Sequence, residues 1–248
     1  MSCVNSQLIF FTVICMKDIL MQGFNELGIS VPETACDALK TYFEYLEEKN
    51  KVMNLTAISG EEDVARLHFL DCAAMLKAIP LEGKRVIDVG TGAGFPGMVL
   101  KILAPSGEFT LLDSLNKRID FLSEVCEKLN LQGIDCIHAR AEEAAAEMGG
   151  TFDVATSRAV ARLNVLCELC LPFLKVGGVF AAMKGPDCGE ELLEAENAIK
   201  LLGGRVKETV SYVIPGTDIT HSLVLIEKIK PTHTKYPRKW AQIKKQPL

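Results

Sequence analysis

The 248-residue sequence has no apolar run long enough to cross a bilayer, no second CxxC motif and no internal repeat. The apolar stretch LIFFTVIC, residues 8–15, falls far short of the ~20 residues a spanning helix needs. No basic residue precedes it, which removes a secretory signal. Residues 1–15 are therefore read as a leader, with Met16 and Met21 as alternative starts. Nine cysteines are scattered without regular spacing, the pattern of reduced thiols in a cytoplasmic protein. Cys167 and Cys170 form a lone CxxC inside an apolar helical pattern, so a structural pair is favoured over a zinc or redox site, and no metal is expected. The sequon Asn54-Leu55-Thr56 carries no weight in that compartment.

Acidic residues are missing from one segment. Residues 228–248 hold six lysines and Arg238 with no acid, so with a formal net charge of −5 the preceding 227 residues carry −12. A basic tail (231–248) on an acidic body suits a phosphate backbone, and Lys235, Arg238, Lys239, Lys244 and Lys245 are its candidate contacts. Tyr236 and Trp240 sit among these cations, where an aromatic ring stacks on bases.

Apolar periodicity divides the rest. Residues 16–82 read as a helical element. One helix begins near Pro32 and places Ala35, Leu39, Phe43 and Leu46 on one face. A second, from Glu61, places Leu67, Leu70, Ala74 and Leu76 together. From residue 83 to 230 the pattern alternates. Strands are predicted at 85–90, 109–113, 134–139, 153–157 and 178–184, with helices between them. A long helix (189–202) and a closing hairpin (206–214, 222–229) follow. This is an α/β fold: a mostly parallel, seven-stranded, Rossmann-like sheet with one reversed strand and an N-terminal helical extension.

RVIDVGTGAGFPG, residues 85–97, is a strand that ends in an acid and opens into a glycine-dense turn, with Pro96 suited to the first turn of a helix. Gly92, Gly94 and Gly97, with Asp113 about 20 residues on, fit a dinucleotide fingerprint. Asp88 followed by Gly90, Gly92 and Gly94 fits an S-adenosylmethionine loop instead, whose ligand brings an ammonium for an acid to meet. Asp113 ends the next strand, where a carboxylate accepts ribose hydroxyls of either cofactor. The only YxxxK, Tyr45 to Lys49, precedes the loop, and there is no substrate domain, so adenosylmethionine is favoured. A nicotinamide-dependent oxidoreductase and a non-catalytic cofactor- and RNA-binding protein stand as alternatives.

The fourth strand is followed neither by Pro-Cys, needed for covalent attack on pyrimidine C5, nor by an Asn/Asp-Pro-Pro-aromatic clamp for exocyclic amines. It ends in Arg158, at the sheet edge where ligands of such folds bind, while Lys184 ends the fifth. Methylation of a ring nitrogen with an available lone pair, such as guanine N7, loses no proton and needs no catalytic base; positioning and exclusion of water suffice.

The segments KVMNLTAI (51–58), RLHFLDC (66–72), RVIDVGTGAGFPG, LLDSLNKRIDFL (111–122), HARAEE (138–143), TSRAVARL (156–163), MKG (183–185) and YPRK (236–239) stand in the order found in the RsmG family. The chain resembles these 16S rRNA guanine-N7 methyltransferases over about residues 17–248, departing from them where Leu67 separates Arg66 from His68 and where Cys72 replaces serine. The resemblance implies a class I methyltransferase fold. It implies cofactor contacts at Gly90, Phe95, Ala141, Glu142 and Arg158, and as target a guanine of the 530 loop (position 527 of the rRNA) presented on the 30S subunit.

Overall fold

Strands form where apolar residues follow one another between glycine-bearing turns, and the sheet they build sets every later position. The computed structural model describes residues 15–248; the leader expected at 1–15 lies outside the described residues except for Cys15. Helices α1 (Met16–Leu27) and α2 (Ala35–Met53) come first. A broken helix follows: α3 (Glu61–Val64), a π-helical turn (Ala65–Leu70), α4 (Asp71–Ala73) and a 3₁₀ turn (Ala74–Lys77). Strands and helices then alternate as β1 (Arg85–Val89), α5 (Gly97–Leu103), β2 (Glu108–Asp113), α6 (Asn116–Lys128), β3 (Ile134–His138), α7 (Ala141–Met148), β4 (Phe152–Arg158), α8 (Leu163–Cys170) and β5 (Leu174–Lys184). The chain continues through α9 (Gly189–Leu201), the hairpin β6 (Gly204–Val213) and β7 (Thr220–Lys228), and α10 (Trp240–Lys245).

The strand order is β3-β2-β1-β4-β5-β7-β6; β7 runs antiparallel to both neighbours and the other pairings are parallel. After β1 the chain moves outward through β2 and β3, then returns to the other side of β1 as β4. The direction of winding reverses between β1 and β4, and the crevice above their carboxyl ends is where such sheets take ligands. Period-two alternation divides the core. Ile87, Val89 and Leu112 meet α7, α8 and α9. Val86, Phe109 and Leu111 face the side covered by α5, α6 and the N-terminal helices.

Helix boundaries differ from the expected ones for local reasons. Pro32 precedes α2 in a turn, its carbonyl accepting the Ala35 N–H at 2.9 Å, and the helix starts at Ala35. Its buried stripe is Ala35, Cys36, Leu39, Tyr42 and Leu46; a 3.6-residue turn brings Tyr42 fully into the core, with Phe43 packed half-buried at its edge. The second helix is buried over most of residues 64–75, with Leu67 and Leu76 only half-buried, because it packs against α1 and α5. Its π turn is the kind of irregularity that recurs at functional sites. Among the described residues no helix is long and apolar enough to cross a membrane.

The C-terminal basic segment, expected as a tail, is packed. Lys228 is buried and donates to the carbonyls of Leu171 (2.9 Å) and Leu202 (2.7 Å). Ile243 of α10 is fully buried on the face that carries α8. Cys167 and Cys170 are both buried on α8, where desolvation pushes their thiols up, away from the reactive thiolate.

Candidate active site

The glycine loop is held from beneath by groups that do not reach solvent. Asp88 is fully buried, and its Oδ2 accepts the Gly97 N–H at 2.8 Å. Its Oδ1 and the Thr91 hydroxyl have no hydrogen-bond partner among the described residues, and burial pushes the Asp88 carboxyl up to about 6. Asp88, expected to meet the ligand, is an anchor of the loop in this structure. Alternation along β1 turns residue 88 into the helix-covered face instead of the crevice. Gly97 allows that close approach, since a Cβ there would lie 2.3 Å from Leu111 Cδ2. Gly94 adopts φ +103°, and a Cβ on it would meet the Tyr42 hydroxyl at 2.6 Å. Tyr42 of α2 in turn donates to the Ala93 carbonyl. The N-terminal helices thus brace the loop rather than hang beside it.

Above the loop three adjoining cavities run along the carboxyl edge of the sheet. The first, about 210 Å³, is bounded by Gly90, Leu112, Asp113, Ala141, Glu142 and Trp240. The second, about 440 Å³, shares Gly90 and Asp113 and adds Gly92, Phe95, Arg118 and Arg158. The third, about 500 Å³, shares His68 and Arg158 with the second and adds Asp71, Lys184, Glu191 and His221. Sequence-predicted residues from five separate segments are thus brought to one crevice, and Arg158 divides its last two compartments.

Asp113 is only 3% exposed and already engaged. Its Oδ1 accepts from Leu115 N–H (2.9 Å), and its Oδ2 from Gly92 N–H (2.9 Å) and Arg118 (3.2 Å). A carboxylate offers about four acceptor positions. One on Oδ1 remains open to a further donor from the crevice, and the half-buried Arg118 occupies the last on Oδ2.

Arg158 is bound on every side. It donates through Nη1 to Asp71 (2.9 Å) and to the Leu67 carbonyl (3.1 Å), which lies in the π turn, and through Nη2 to His68 Nδ1 (2.7 Å). Its guanidinium also lies 5.0 Å from the centre of the Phe95 ring, which stacks on His68 at 4.1 Å. A guanidinium only donates, so His68 Nδ1 accepts and its Nε2–H donates to Thr56 Oγ1 at 2.8 Å. Burial and the neighbouring arginine hold His68 down at about 3, neutral across the physiological range. Ala159 follows at φ +56°, a left-handed conformation costing a non-glycine residue roughly 1 kcal/mol, at the point where both cavities meet.

Asp71, Tyr212 and His221 complete the network and escaped the sequence reading. Tyr212 and His221 each donate to Asp71 Oδ1 at 2.8 Å. Burial alone would raise Asp71, but the hydrogen bond from His221 and the charge of Arg158 hold it below the usual carboxylate range. The bond to Asp71 raises His221 in return. Only the segment RLHFLDC pointed toward Asp71. Nothing local marked Tyr212 or His221, which arrive 141 and 150 residues away on the closing hairpin.

The cations expected to face nucleic acid divide into two groups. Lys184 lies inside the third cavity, paired with Glu191 at 2.6 Å and donating to the Ala161 carbonyl. Arg238 is turned inward against Glu168, a carboxylate with no exposure, through its backbone N–H, Nε and Nη2. Lys235, Lys239, Lys244 and Lys245 are exposed and make no ion pair among the described residues.

Comparison with known proteins gives the family and the fold. A chain named Ribosomal RNA small subunit methyltransferase G from Alkaliphilus oremlandii is 51% identical over 237 residues, 94% of this chain and 99% of that one. Its namesake from Clostridium tetani is 47% identical over 234 residues, covering 93% and 98%. At the level of fold alone, TrmN from Thermus thermophilus superposes with a TM-score of 0.52 at 19% identity, over 64% of this chain and 48% of that one. M. jannaschii TYW2 in complex with AdoMet gives 0.52 at 16%, over 67% and 81%. Residues 35–220 match the family described as rRNA small subunit methyltransferase G, to which this chain belongs.

Proposed function

We propose that the protein transfers a methyl group from S-adenosylmethionine to N7 of a guanine in 16S rRNA, in the 530 loop at position 527, presented on the 30S subunit. The carrying observation is the pair of compartments meeting at Arg158: a cofactor-sized cleft over the glycine loop and a second cavity of about 500 Å³, within the usual range of ligand pockets. The residues fit the cofactor. Gly90, Gly92, Phe95 and Arg158 line the cleft, Asp113 keeps an acceptor for ribose, and Ala141 and Glu142 stand at its far end. Asp88 and Gly94 serve from beneath, by holding the loop. The bound cofactor supplies an electrophilic methyl on its sulfonium.

The third cavity, of about 500 Å³, suits a purine edge that carries only acceptors. Guanine presents N7 and O6 there; Lys184 and Arg158, with His221 when protonated, supply donors for O6 along the wall, and the N7 lone pair is left to attack the methyl. The carboxylates nearby are engaged: Asp71 by Arg158, Tyr212 and His221, and Glu191 by Lys184 and the Leu163 N–H. His68 is neutral with both nitrogens bonded. The test is methyl transfer from labelled cofactor to 30S subunits lacking the modification, mapped by borohydride reduction and aniline cleavage, which cut at N7-methylguanine. A single cut in the 530 loop is expected; labelled RNA with no cut overturns the N7 assignment.

The Asp71–His221 pair favours a second reading, because His221 Nδ1 is bound to Asp71 while the ring borders the cavity as a base would. In that reading the acceptor loses a proton. Its signature is a rising limb in the pH profile of kcat, displaced above the ordinary imidazole range by the bond to Asp71, that His221→Gln abolishes; a flat profile favours N7.

The exposed lysines are the RNA partners this reading requires. Replacing Lys235, Lys239, Lys244 and Lys245 together by Gln is expected to flatten the slope of log affinity against log salt by roughly 3, since each phosphate that a cation neutralises adds ~0.7–0.9 to that slope. Filter binding across a salt series reads this directly. An unchanged slope would remove the segment from the RNA interface.

A further inference from the structure

Trp240 was expected to meet RNA bases, and the structure places it elsewhere. It opens α10, is half-buried, and borders the cavity of about 210 Å³ that also contains Asp113, Ala141 and Glu142. The rest of that cavity comes from the ends of β1, β2 and β3, the loop after β4, and α8. Trp240 is the contribution of the C-terminal segment.

The indole is held there from both sides. Two residues before it, Arg238 is fixed to Glu168 through its backbone N–H at 2.8 Å and its guanidinium at 2.7–2.8 Å. Glu168 immediately precedes Leu169, which borders the same cavity. Three residues after Trp240, about one helical turn, Ile243 is fully buried in the cluster formed by α8. With these two anchors the ring position is set by the fold.

The chemistry of the compartment is that of a flat heteroaromatic ring with a polar edge. Leu112, Val160, Leu169 and the indole supply apolar and π surface, and Glu142 with the Ala141 backbone supplies polar groups at one end. The compartment joins the larger cleft at Gly90 and Asp113, as an adenine joins its ribose. We propose that Trp240 is a cofactor-binding residue: it forms the outer wall of the adenine compartment, making the basic C-terminal segment part of the cofactor site. The inference rests on the adenosylmethionine reading.

The sequence contains one tryptophan, so the emission of the whole protein reports on this wall. Titration of the full chain with S-adenosylhomocysteine, followed in parallel by calorimetry and by tryptophan emission, is expected to give a saturable change in emission with the calorimetric Kd. Trp240→Leu keeps an apolar side chain against α8 and removes most of the π face; it is expected to raise Kd about tenfold, in line with the loss when a stacked base loses its aromatic partner. 5′-Methylthioadenosine should lose affinity by a similar factor, which localises the effect to the adenosine end. Trp240→Phe should restore most of the affinity. Heat of binding in the wild type with a Kd unchanged in Trp240→Leu overturns the proposal and leaves the cofactor reading standing. No heat of binding in the wild type overturns both.

Discussion

Replacing Arg158 by Lys is expected to lower kcat/KM for methyl transfer about a hundredfold or more. The change keeps the charge, but the arginine uses its fork. Nη1 bonds Asp71 and the Leu67 carbonyl, Nη2 bonds His68, and the plane covers Phe95. A lysine offers one compact ammonium and no planar face, so at least one of these partners is lost. His68 and Phe95 both border the cleft over the glycine loop, and displacements near 1 Å at a reacting centre cost about a hundredfold. Arg158→Met goes further. It leaves Asp71, 1% exposed at its side chain, without its cation, and unfolding free energy should fall by about 3 kcal/mol. Urea unfolding beside steady-state kinetics separates the two effects. A Lys variant within about threefold of wild type in kcat/KM would show that the wall needs only a charge.

The second large effect is a loss of stability from a residue that reads as surface charge in the sequence. Arg238→Ala strips the partner from Glu168, whose side chain is 1% exposed, and leaves a buried carboxylate uncompensated. Breaking such a pair costs ~3–5 kcal/mol. For a chain of this size about 3 kcal/mol corresponds to a fall in Tm of roughly 6–12 °C. The same substitution at Lys239 or Lys245, both exposed, should move Tm by little, since surface charges contribute ~0–1 kcal/mol. Thermal unfolding of the three variants decides the matter. Equal melting temperatures would mean that the C-terminal segment is not docked in solution. Truncation at residue 230 is a poor test of RNA binding for the same reason, because it exposes Glu168 and removes Trp240 and Ile243 along with the lysines.

What the chain determined by itself was local. Strand positions came within a few residues, because a buried parallel strand is a short apolar run closed by glycine, and that signal needs no distant partner. The β1 glycine loop, Asp113 at the end of β2 and Arg158 at the end of β4 were legible because such crevices always form at the carboxyl ends of strands around the winding reversal. The tertiary structure decided everything that depends on which face a side chain takes or what lies opposite it. Asp88 and Arg158 both look like crevice residues in sequence. Alternation along β1 sends the first beneath the loop, and the end of β4 lets the second divide two cavities. The partners that orient Arg158 come from residues 67–71, while those that hold Asp71 come from the closing hairpin, and no spacing rule links segments so far apart. Seven positive charges with no acid announced a basic tail. Only packing showed that Lys228 and Arg238 face inward, because the Leu171 and Leu202 carbonyls and the Glu168 carboxylate are buried where water does not reach, and without these cations they would lack a partner.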